Sequence, residues 1–97
     1  MLFISLFNFT DQGVRNVKDT VKRGNAFRET AESKFGVKVR ELYWTLGQYD
    51  VVAVTDAPDE ETATALALSL GSLGNVKTQT FRAFTAEEMN VILAKMS

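Results

Sequence analysis

Two segments of this chain, Leu2–Phe9 and Tyr49–Thr55, carry hydrocarbon on both sides of any strand they form. Side chains alternate between the faces of a strand. In the first segment Leu2, Ile4 and Leu6 therefore oppose Phe3, Phe7 and Phe9, and in the second Val51 and Ala53 oppose Val52 and Val54. A strand that is apolar on both faces belongs in the middle of a sheet, with packing material above and below it. The rest of the chain has to supply that setting.

The punctuation between these segments gives the order of the elements. Thr10 is a good N-cap and Gly36 a good C-terminal stop, which predicts one long helix between them. Its expected buried arc holds Val14, Val17, Val21, Gly24, Ala31 and Phe35, with Phe27 at the edge and Arg28, unusually for a charged residue, among them. Val37–Leu46 reads as a second strand whose alternation slips, with Val37 and Val39 on one face and Leu42, Trp44 and Leu46 on the other, so a bulge is expected near Arg40. Gly47-Gln48 turns the chain into the third strand, making a hairpin. Pro58 is expected at the first helical position, followed by Asp59, Glu60 and Glu61, which suit the positive end of a helix dipole. Ala63, Leu66, Ala67 and Leu70 form that helix's buried stripe, and Gly71–Asn75 ends it. Val76–Phe84 is the fourth strand, and Thr85 with Glu88 forms a capping box for a short last helix.

The order β-α-β-β-α-β with a terminal helix is the ferredoxin-like α+β pattern. Right-handed crossovers place the first and third strands centrally, in the order 4-1-3-2, and these are the two strands that are apolar on both faces. The 97 residues are expected to form a single domain over 1–97. Helices can cover only one face of such a sheet. Large apolar groups on the other face would make a patch that soluble monomers rarely expose, and a second sheet packed face to face would bury it. The sequence therefore predicts a homodimer or higher homo-oligomer.

Composition removes whole classes of chemistry. The chain has neither cysteine nor histidine, so it can build no disulfide, zinc-thiolate site, imidazole base or histidine-ligated haem. We expect no cofactor. Residues 1–40 carry a net charge of +4 and residues 41–97 a net charge of −5. The positive charges are interleaved with acids, Asp11 and Asp19 standing four residues before Arg15 and Arg23, which suits intrahelical pairs on a solvated face better than a nucleic-acid stripe. The apolar N-terminal run lacks the basic start of a signal peptide, and no segment has the length of a membrane span. The expected setting is cytoplasmic, with neither nucleic acid nor membrane as a partner. The glycines at 71 and 74 follow a helix, whereas a phosphate cradle places them before one.

At Leu46-Gly47-Gln48-Tyr49-Asp50 the sequence becomes specific. Together with Pro58-Asp59, Gly74-Asn75-Val76-Lys77-Thr78 and Arg82-Ala83-Phe84-Thr85, in that order, it resembles the GYD-domain family, named for its Gly-x-Tyr-Asp turn. The resemblance runs from the first strand to Thr85. It implies a fold of the dimeric α/β-barrel superfamily, in which two ferredoxin-like subunits pack their sheets together, and it implies no particular reaction.

Four residues are candidates for a ligand site: Trp44, Tyr49, Asp50 and Arg82. Asp50 has two readings. It can accept backbone hydrogen bonds or pair with an arginine, for which Arg82 and Arg28 are the candidates; or it can be a desolvated carboxylate acting as a base, with Tyr49 orienting a polar group. Arg82 shares a strand face with Val76, Thr78 and Thr80, and Trp44, with Leu42 and Leu46, is placed to line an apolar pocket. The preferred functional reading is a non-enzymatic, homo-oligomeric module that binds a small apolar or aromatic ligand or another protein. The alternative is a cofactor-independent oxygenase-type enzyme of the barrel superfamily.

Overall fold

A computed structural model describes residues 1–96 of the chain. The first apolar segment is β1 (Leu2–Phe9), at the centre of a four-stranded antiparallel sheet. It pairs on one side with β3 (Val51–Asp56) and on the other with β4 (Val76–Ala83), while β2 (Lys38–Trp44) flanks β3. The spatial order β2-β3-β1-β4 is the expected order read from the other end, and the two strands apolar on both faces are the inner pair.

The sheet is open, and this corrects the barrel. Closing it would require β2 to pair with β4, yet those strands are opposite edges with β3 and β1 between them. The α/β barrel drawn from the family resemblance is absent, and the homodimer expected to complete it loses that support.

One face of the sheet is covered by α2 (Thr20–Phe35) and α3 (Glu60–Ser72). Phe3, Phe7, Val39, Val51 and Ala53 from the strands meet Ala31, Ala63 and Leu66 from the helices, all buried. The bulge falls where the broken alternation puts it: β2 slips its register against β3 between Val39 and Glu41. The slip brings Val39, Leu42 and Trp44 opposite Thr55, Ala53 and Val51, onto the helix-covered face, and so resolves the split between the two apolar sets of this strand.

The long helix expected between Thr10 and Gly36 is broken. Thr10 does cap α1 (Asp11–Arg15), accepting a hydrogen bond from the Gly13 amide, and Gly36 does end α2 in the left-handed region at φ 65°. Between them the chain leaves the helix at Asn16 and makes a 3₁₀ turn over Val17–Asp19. The cause lies far away in sequence. A Cβ on Gly13 would stand 2.1 Å from the Asn75 carbonyl oxygen, so α1 is pressed against the α3–β4 loop, where Thr10 also binds Gly74 and Asn75 and Gln12 binds Leu73 and Asn75. The Arg23 guanidinium then donates to the Gly13 and Asn16 carbonyls, closing the end of α1. The break changes the helical phase. Val14, Val17 and Val21 are exposed, and the inward row is Gly24, Phe27 and Ala31. Arg28 leaves the expected arc and binds the Val39 carbonyl at 3.0 Å. The expected Asp19–Arg23 pair is replaced by these carbonyl contacts.

Pro58 also sits two positions earlier in the helix frame than expected. The N-cap of α3 is Asp59, whose carboxylate accepts from the Thr62 amide at 2.7 Å, which leaves Pro58 in the approach to the helix. At the other end of the chain Thr85 and Glu88 form the expected capping box for α4 (Ala86–Ala94), a helix with no buried residue.

Candidate functional site

The structure disperses the four candidate residues. Asp50 finds no arginine. Its Oδ2 accepts from the Phe9 amide at 2.8 Å, and its own amide donates to the Phe7 carbonyl at 2.8 Å. The β1–β3 ladder runs as far as Phe7↔Val51, and the Asp50 carboxylate supplies the acceptor that a further strand residue would have offered to Phe9. This is the backbone-binding reading of Asp50. Tyr49 points to the other face of the sheet, where its hydroxyl donates to Gln79 Oε1 at 3.3 Å.

Arg82 lies at the far end of β1 and β4. It donates to Glu88 at 3.1 Å and to the Leu2 and Ala83 carbonyls, with its guanidinium 4.6 Å from the Phe84 ring centroid. The backbone bond from Thr85, helped by Arg82, holds the Glu88 carboxyl below its usual range. Arg82 thus joins β4 to the capping box of α4, beside a shallow depression lined by Thr78, Thr80 and Thr64.

Two candidates line hollows, Arg82 the depression just described and Trp44 an apolar cavity. Between α2, α3 and the covered face of the sheet lies a space of about 180 Å³, lined by Phe7, Phe27, Leu42, Val51, Leu66, Leu70 and Val76. Trp44 forms part of its wall. The indole N–H donates to the Thr20 hydroxyl at 2.9 Å, and the ring lies against Gly24, where even a Cβ would come within 3.1 Å of it. Leu42 lines the cavity as expected; Leu46 instead stands fully exposed in the hairpin turn. The sequence reading missed Arg23, the one charged residue in this lining. Its i+4 spacing from Asp19 disguised it as half of a surface pair.

The second region with functional potential is the face of the sheet that no helix covers. Leu2, Ile4 and Leu6 of β1, Val52 and Val54 of β3, Tyr43 of β2 and Phe81 of β4 share it by register. Ile4 is 37% exposed and Phe81 49%, although both sit within strands. α4 also exposes apolar groups, in Val91 and Leu93. Among the described residues no group of His, Cys, Asp or Glu is placed to hold a metal ion, and no helix is long and apolar enough to cross a membrane.

Comparison with known proteins gives two matches. The model of the GYD domain matches residues 3–93. A Thermus thermophilus protein named glutamine synthetase and cystathionine beta-lyase binding protein is 36% identical over 87 residues, which span 90% of this chain and 92% of that protein. That name gives two other proteins as partners, and it corrects the expectation that the partner is a second copy of the same chain.

Proposed function

The chain belongs to the GYD-domain family, and from that premise we propose that it is a non-enzymatic module that binds other proteins through the uncovered face of its sheet. The observation that carries this reading is the row Leu2, Ile4, Leu6, Val52, Val54 and Phe81, apolar across three adjacent strands with no helix laid over it. Contiguous exposed apolar surface on a folded protein marks an interaction site. The first partners to try are the two enzymes for which the Thermus relative is named. The oxygenase alternative needs Trp44, Tyr49, Asp50 and Arg82 around one substrate, and they lie in four different surroundings. One domain over residues 1–97 and a cytoplasmic location belong to the same proposal. The family match over 3–93 supports the first.

Sedimentation of the purified chain with purified glutamine synthetase, and separately with cystathionine beta-lyase, tests the reading. Co-sedimentation with either enzyme is expected, and Ile4→Glu or Phe81→Glu abolishes it because each buries a carboxylate in the contact. Leu46→Glu, in the hairpin turn, leaves it intact. Binding that survives both charged variants on the sheet overturns the assignment of this face.

A further inference from the structure

The cavity beneath the helices has a different character from the uncovered face, and its lining specifies a ligand. Most of its wall is hydrocarbon, and its volume of about 180 Å³ is close to that of an apolar cavity that takes up benzene, about 150 Å³. One flat wall is the Trp44 indole, fixed in orientation by the Thr20 hydroxyl and by contact with the backbone at Gly24. A hydrogen-bonded aromatic ring in the wall of an apolar cavity favours a second ring beside it, offset or edge-on.

The polar part of the lining is equally selective. Arg23 is its only charged residue, accompanied by the hydroxyls of Thr20, Thr30 and Ser69 and by Asn75, with no Asp or Glu. Arg23 is half-buried and takes no carboxylate partner among the described residues. Two of its nitrogens hold the Asn16 and Gly13 carbonyls at 2.6 and 3.2 Å. Both are neutral acceptors, and the Phe9 ring 6.0 Å from the guanidinium carbon is neutral too, so no anion pairs with the cation, and a guanidinium has five N–H donors. A cation with unused donors at the edge of an apolar, ring-sized space complements a molecule with a ring at one end and a carboxylate at the other.

We propose that this cavity is a binding site for a single-ring aromatic carboxylate, with the ring stacked beside Trp44 and the carboxylate directed to Arg23. The site is independent of the protein-binding reading, since it lies on the opposite face of the sheet.

Trp44 is the only tryptophan of the chain, so its fluorescence reports this cavity without a label. Titration of the full chain with phenylacetate is expected to change Trp44 emission saturably. The neutral 2-phenylethanol, which has the same ring without the charge, binds about tenfold more weakly, the loss expected for one charge-assisted hydrogen bond. Arg23→Gln removes that preference for the acid, and Ser69→Phe, which fills the cavity from α3, removes binding of both compounds. The comparison of acid with alcohol on the unaltered chain needs no variant, so a substitution that fails to fold does not decide the outcome. The lack of a saturable change with either compound overturns the site. Binding that survives Ser69→Phe in a folded variant likewise overturns the site, and equal affinity for the two compounds overturns the assignment of its ligand.

Discussion

The two faces of the sheet are made by the same strands from neighbouring residues, and their environments differ sharply. On β1, Phe3 and Phe7 are 5% and 4% exposed beneath the helices, while Ile4 between them is 37% exposed on the other side. Hydrophobicity does not separate them, because both rows are apolar. The helices do. α2 and α3 follow β1 and β3 and both pack on one side of the sheet, leaving the second apolar row without an intramolecular partner. The covered face therefore holds the fold together, and the other is available for recognition.

If that division holds, the largest effect of a substitution lies on the covered side. Phe7 packs edge-on against Phe27, with ring centroids 6.1 Å apart, and sits in the cluster with Val51 and Ala53. Phe7→Ala should cost about 3–5 kcal/mol in urea unfolding, through lost burial and the cavity left behind. Ile4→Ala, on the uncovered face and in neither core cluster, should cost only about 1 kcal/mol, because much of its side chain is already in water. Equal losses at the two positions would break the distinction between the faces.

The next effect sharpens the boundary where the two faces meet the hairpin. Asp50→Ala leaves the Phe9 amide without its acceptor, and a half-buried donor stranded in this way costs about 1–3 kcal/mol. Asp50→Asn keeps an oxygen in place and should cost less than about 1 kcal/mol, since no arginine is left unpaired. Amide hydrogen exchange at Phe9 reads the difference, rising strongly in the alanine variant and little in the asparagine one. A severe loss with asparagine would mean that the carboxylate charge itself is needed.

The features legible in the sequence are those set by local chemistry. The Thr10 cap, the left-handed Gly36 and the Thr85–Glu88 capping box each depend on residues within one turn, and the slipped alternation around Arg40 records a bulge directly. The break at Asn16 depends instead on Gly13 meeting the Asn75 carbonyl across the fold, a contact that no helical periodicity contains. The candidate site was partly legible for the same reason. An aromatic residue in a strand next to Leu42 signals a wall, and Trp44 is one. Arg23 was hidden because its partners are backbone carbonyls, which leave no mark in the sequence, and the spacing that was visible pointed to Asp19.

The smallest effect separates the two faces by pH. The Asp59 carboxyl is held below its usual range by the Thr62 amide, and it caps α3, one of the helices that cover the sheet. A carboxylate lowered in the folded state stabilises fully above its unfolded pKa, and that contribution is lost as pH falls through the folded value. Acid should therefore loosen α3, and Asp59→Asn, which caps without titrating, should flatten this part of the acid limb in thermal melts. On the uncovered face the opposite end of the scale applies. The hydrogen bond to Glu41 raises the Tyr43 phenol above its usual range, so its contribution is complete below the unfolded pKa and disappears as pH rises through the folded one. Absorbance near the phenolate band should show one tyrosine titrating late, and Glu41→Gln should bring it back towards its ordinary value. If Glu41→Gln leaves the tyrosine titration unchanged, the pair does not persist in solution and the alkaline half of the contrast fails.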